Sequence, residues 1–141
     1  MQHKIEVQAG TVVRTKVVVN GITVWHEGVV TNRYGSDGSR TVISHSKKYG
    51  TTVHEEMTDF HGGNGFKVVG YLGNLPAGEV LRRAWADVYA RPAWTLGYNC
   101  QHATRKWHGI SMDSPQVQGV VAVLGVIVAV AVVATVAKNA A

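Results

Sequence analysis

A chain of 141 residues has room for one domain and an appendage, because a domain takes on the order of 100 to 150 residues. Its single cysteine, Cys100, excludes an intramolecular disulfide framework and a Cys-rich zinc site. The net charge of +5 is spread thinly, with no basic block longer than Lys47-Lys48, Arg82-Arg83 or Arg105-Lys106, which argues against nucleic acid and suits anionic lipid headgroups.

Met1 to Val7 mixes charged and apolar side chains, so no secretory leader is expected at the front. From Thr11 to Val19 the residues are mostly β-branched, and Asn20-Gly21 separates them from a second run, Ile22 to Val30. Asn-Gly between such runs favours a type I′ turn, whose two central residues take positive φ, so the segment reads as a hairpin. Gly35 to Ser39 is turn chemistry, and Thr41 to Ser46 returns as a strand. Val53 to Phe60 fits helix or strand, His61 to Gly65 reads as a mobile loop, and Phe66 to Tyr71 reads as another strand.

Helical patterning begins at Pro76, with Ala77, Leu81, Ala84, Trp85 and Val88 on one face, and ends at Arg91-Pro92. A shorter helix is expected from Cys100 to Trp107, capped by Asn99 and closed by Gly109. A third should start at Ser114-Pro115, dividing the chain into a domain at 1–113 and a tail at 114–141. Gly119 to Ala137 is 19 residues without a charge, long enough at about 1.5 Å per residue to cross a hydrocarbon core of roughly 30 Å. A domain this small has too little core to hide a helix apolar on every face, so a membrane association through this segment is expected over a buried helix. Arg105 and Lys106 before it, against Lys138 alone after it, favour a cytoplasmic domain.

A thiol in the first turn of a helix meets unpaired N–H groups and the positive end of the helix dipole, both of which favour the thiolate. Cys100 is thereby a candidate nucleophile, though a lone cysteine is ordinarily a small buried hydrophobe. A nucleophilic thiol wants a base, and the base wants an orienting group. Alternation places Val24, His26, Gly28 and Val30 on one face of the second strand, where His26 is either a core residue or the base. His45 shares a face with Thr41 and Ile43, and a hairpin between the two strands could set it beside His26. His102 and His108 stand too far apart on one short helix to share a metal, and His54 and His61 lack partners at ligand spacing, so no metal is expected. His102 is read as a structural hydrogen-bonding residue, and His3, His54, His61 and His108 as solvated. The four tryptophans read as core or membrane-edge anchors.

Trp25 to Val30, then Val42-Ile43-Ser44-His45-Ser46, then Tyr98-Asn99-Cys100-Gln101-His102, resemble in this order the lecithin:retinol acyltransferase-like (H-box/NC) family, circularly permuted relatives of the NlpC-type cysteine peptidases. The resemblance spans roughly Ala9 to His108 and takes in the Gly70-Tyr71-Leu72-Gly73 link. It implies an α+β, permuted papain-like fold with a small antiparallel sheet packed on helices. It also implies Cys100 as nucleophile, His26 as base, His45 as orienting group and the Cys100 backbone N–H as an oxyanion donor. Gln101 and Ala103 stand where the family's acyltransferases carry Glu and Phe, and counting from Val42-Ile43 puts the family's second histidine at Ser44, so Ser44 or His45 takes the third position. The expected activity is transfer or hydrolysis of lipid acyl groups through a thioester, without a cofactor. The alternatives are a peptidase or amidase of the same fold, and a non-catalytic membrane-bound module.

Overall fold

The computed structural model describes residues 6–111. They form an α+β unit with five strands and three helices: β1 (Val12–Val19), β2 (Ile22–Tyr34), β3 (Arg40–Ser46), β4 (Thr51–Glu55), α1 (Met57–His61), β5 (Lys67–Gly70), α2 (Ala77–Ala90) and α3 (Cys100–Trp107). The sheet is antiparallel in the order β4-β3-β2-β1-β5.

The Asn20-Gly21 hairpin forms as expected, with φ of 52° and 76° at its two central residues, and pairs β1 with β2 from Val19↔Ile22 to Val12↔Val29 without interruption. β2 runs four residues beyond Val30, to Tyr34, past a bulge in its pairing with β3. The ambiguous stretch resolves into the end of β4 followed by the single turn of α1, which Gly62 closes in the left-handed region at φ 54°. The Cys100–Trp107 helix has the bounds expected of it.

Alternation sorts the sheet into two apolar faces. Val12, Val29 and Ile43 pack against Val80, Leu81 and Ala84 of α2 and Ala103 and Trp107 of α3. Val13, Val30 and Val42 pack on the other side against Met57 and Phe60 of α1. Gly28 lies on this second face, where a Cβ would sit 2.6 Å from Val42 and 2.9 Å from the Ile43 carbonyl oxygen. A side chain there would push β3 and Phe60 away, so a glycine lets three elements close up beside His26.

α2 runs from Ala77 to Ala90 with Pro76 and Arg91 as its caps, close to the bounds the pattern predicts, but its buried face is Val80, Leu81, Ala84 and Asp87. Trp85 is only partly buried at the margin of that cluster. Asp87 tolerates burial because three donors converge on it: the Tyr98 hydroxyl, Trp107 Nε1 at 2.9 Å and Lys106 Nζ at 3.0 Å. One carboxylate thus ties α2 to α3 and to the loop that leads into Cys100. The helix expected from Ser114-Pro115 and the apolar run Gly119 to Ala137 lie outside the described residues, among which no helix is long and apolar enough to cross a membrane.

Candidate active site

Asn99 fixes the start of α3 through a reciprocal cap. Its side-chain oxygen accepts the backbone N–H of Gln101 at 3.0 Å and of His102 at 3.2 Å, while His102 Nδ1 accepts the Asn99 N–H at 3.1 Å. His102 therefore makes the structural hydrogen bond expected of it. One turn further, Thr104 donates to Glu27 Oε1 at 3.1 Å and Gln101 Nε2 reaches Glu27 Oε2 at 3.5 Å, which lashes the helix to β2. Glu27 has its carboxyl raised by burial, partly offset by these two donors.

The hydrogen-bond parity of β2 decides where the Cys100 sulfur lands. Val30 exchanges backbone bonds with Gly10 and Thr11 on the β1 side, so Val29, Glu27 and Trp25 turn their N–H and C=O groups the other way. There β3 pairs with β2 at Val29↔Ile43 and Val30↔Val42, and the mouth of α3 comes up beside the earlier part of the strand. Cys100 Sγ sits 3.8 Å from the Trp25 carbonyl oxygen. The Glu27 N–H also faces the sulfur, so it is seated between the residues on either side of His26. Burial pushes this thiol up to about 12, against the pull of the backbone N–H groups of Glu27, Gln101 and Cys100 itself. At 7% exposure, desolvation outweighs the helix mouth, and Cys100 is a neutral thiol at physiological pH.

His26 projects to the Gly28 face, opposite the one on which α3 packs, and its ring lies 5.1 Å from that of Phe60. Burial first, and then the charge of His45, hold its pKa down at about 4, so the imidazole is neutral. Among the described residues no hydrogen bond joins His26 to Cys100; the sulfur lies against the backbone of the residues flanking His26, while the imidazole faces Phe60, so the two are not a formed pair. His26 lines a surface depression of about 550 Å³ together with Phe60, Ser46, Glu55 and Asp59.

The relay expected from His45 to His26 is not formed. The register Val29↔Ile43 puts His45 on the α3 side, where it is fully buried against Tyr98. Its Nδ1 pairs with Thr52 Oγ1 at 2.8 Å and its Nε2 with the Ala93 carbonyl at 3.3 Å. Both ring nitrogens are thus occupied, Nδ1 on β4 and Nε2 on the loop before α3. Ser44 lies on the side of Val42, the face of His26, and donates to Glu55 Oε1 at 3.3 Å. Glu55 has its carboxyl raised by burial, with Ser44 pulling the other way.

Two histidines expected in solvent are inside. His108 is 1% exposed, with Nε2 on the Gly10 carbonyl at 2.8 Å and its ring edge-on to Tyr71, because α3 returns the chain against the start of β1. His54 is half-buried, with Nε2 at 2.6 Å from Thr41 Oγ1 and its ring on Trp85. His61 is partly exposed and accepts the Gly63 N–H at 3.1 Å, while His3 lies outside the described residues. Sequence reasoning missed Glu27, Glu55 and Asp87. For Asp87 a signal existed, since it falls three residues after Ala84 on the buried side of α2. Comparison with known family profiles, with curated proteins and with solved structures finds no match.

Proposed function

We propose that this chain is a cysteine-dependent transferase or hydrolase of lipid acyl esters, on the permuted papain-like plan of the lecithin:retinol acyltransferase-like family it resembles. The observation that carries the reading is the seat of Cys100: a thiol on the first residue of a capped helix, lodged at the open edge of β2 against the backbone of the residues that flank His26. Residues 75 positions apart in sequence meet there, the sulfur lying against the Trp25 carbonyl.

In this reading the site rests as a neutral thiol beside a neutral imidazole, the protonation states a nucleophile and its general base need before reaction. The His26 ring leaves Phe60 and turns to the strand edge, takes the Cys100 proton as sulfur attacks the ester carbonyl, and returns it to the departing alcohol. The acyl group stays on sulfur as a thioester until water, an alcohol or an amine takes it. The Cys100 N–H serves as one oxyanion donor. The apolar run Gly119 to Ala137 would hold this chemistry at a membrane surface, with the domain on the cytoplasmic side and acyl substrate abundant. A peptidase or amidase would use the same steps on an amide.

A second reading, a non-catalytic module of the same plan, draws on a specific observation. The thiol is deeply protonated, the imidazole is turned away, and His45 serves the scaffold. A fluorescent phospholipid given to the full chain and to Cys100→Ala separates the two: turnover lost in the variant supports the enzyme, and equal turnover removes the proposed nucleophile. No turnover by either protein assigns the module.

A further inference from the structure

The β1–β2 hairpin outruns its sheet. β5 pairs with β1 only over Val12–Arg14, and β3 leaves β2 after Val29↔Ile43, so the strands toward Asn20-Gly21 project as a two-stranded arm. Its tip is apolar and open, with Val18 at 71% and Ile22 at 65% exposure, and Val68 of neighbouring β5 is 54% exposed. Among the described residues these β-branched side chains at the end of the ribbon stay open, and exposed apolar surface rimmed by polar groups marks an interaction surface.

The rim identifies the partner. Arg14, Lys16 and Lys67 converge on one indole, their charged groups 4.1, 5.3 and 5.8 Å from the centre of the Trp25 ring. On the other side of the arm, Lys47 and Lys48 stand at the depression that Val17, Val18 and Val19 also line, each over an aromatic ring of its own, Trp94 and Tyr49. The carboxylate nearest the arm's base, Glu27, is engaged by α3. Glu55 and Asp59 lie at the α1 end of the depression. Apolar tip, basic flanks and indole at the boundary between them match a bilayer interface in depth order: acyl carbon, headgroup boundary, phosphate.

We propose that this arm is a docking surface for an anionic bilayer, the tip entering the headgroup region while Lys16, Lys67 and Lys47 engage lipid phosphates. The depression lined by His26 opens along the same arm, so docking sets its mouth at the membrane. The surface does not depend on chemistry at Cys100, so Cys100→Ala docks as the wild type does.

The test is sedimentation of the full chain with vesicles of phosphatidylcholine alone and with vesicles containing roughly one-third phosphatidylglycerol. Removing both charges in Lys16→Gln/Lys67→Gln is expected to weaken partitioning onto the anionic vesicles by roughly 30-fold, about fivefold per basic residue, with little change on the neutral ones. Val18→Asp/Ile22→Asp is expected to weaken binding to both. All four side chains lie at the surface, so unchanged thermal melts separate docking from unfolding, and the tail contributes equally to every protein compared. Undiminished binding of the glutamine variant to anionic vesicles overturns the proposal. So does a wild-type dimer that Val18→Asp/Ile22→Asp dissociates without altering vesicle binding, which assigns the arm to self-association.

Discussion

Replacing Asp87 by Ala removes the acceptor that α2, α3 and the Tyr98 loop share. Trp107 Nε1 would be left without a partner in a fully buried ring, and the Tyr98 hydroxyl would lose its bond in a half-buried setting. Orphaning a buried donor costs about 1 to 3 kcal/mol, so these two together account for about 3 kcal/mol. Lys106, whose side chain is 44% exposed, adds less than about 1 kcal/mol after screening by solvent. The sum is a fall of about 3 to 4 kcal/mol, read as a lower urea midpoint at unchanged slope when tryptophan fluorescence follows unfolding. Burial raises the Asp87 carboxyl, but hydrogen bonds from Tyr98 and Trp107 and the charge of Lys106 outweigh it and hold the group below its ordinary value. A carboxyl with a depressed folded pKa contributes fully above its unfolded pKa of about 3.9 and loses that contribution as pH falls through the folded value. The gap between wild type and Asp87→Ala should therefore be constant above about pH 5 and narrow in stronger acid. A loss under about 0.5 kcal/mol, or a gap indifferent to acid, would refute the role given to this carboxylate.

Gly28→Ala brings a methyl to 2.6 Å from Val42 and 2.9 Å from a backbone oxygen that cannot rotate away, so a loss of about 2 kcal/mol in a chemical melt is expected; a neutral result would mean β3 yields freely. His26, held near 4 by burial, should show no titration of its ring protons in NMR between pH 5.5 and 8 beyond what an unfolded control explains, and by linkage its neutral burial lowers stability as pH falls from about 6.5 toward 4. Asn99→Ala removes the acceptor for two backbone N–H groups at the mouth of α3 and is expected to cost about 1 kcal/mol and to speed alkylation of Cys100 as the sulfur is released from its seat. Iodoacetamide labelling of wild-type Cys100 should be slow at pH 8 and climb steadily to the alkaline limit of folding, because the thiol sits at about 12; a plateau near neutrality would contradict its burial.

Local rules carried the hairpin, the capped helix and its closing glycine, because each is fixed by a few adjacent residues: φ at Asn20-Gly21, the Asn99 oxygen, the open φ of Gly109. Alternation also gave the face of His26 correctly. What it could not give was the register between β2 and β3, which the bulge after Val30 and the turn at Gly35 to Ser39 set, and that register sends His45 to the α3 side. The seat of the sulfur depends on the parity of β2 hydrogen bonds and on where β3 diverges, both long-range properties. The burial of His108 was hidden for the same reason, since its partner, Gly10, comes from elsewhere in the chain, as do the donors Tyr98 and Trp107 that satisfy Asp87. Polar residues read as solvated by composition are satisfied inside wherever the fold supplies a matching group.

Acyl chemistry at this cysteine leaves a covalent trace. Intact-mass and peptide-mapping spectrometry of the full chain after exposure to phosphatidylcholine vesicles should find a hydroxylamine-labile acyl group on Cys100, reduced when His26 is replaced by Ala. A folded, vesicle-bound protein whose Cys100 stays unmodified throughout would contradict the account and leave the thiol a structural residue.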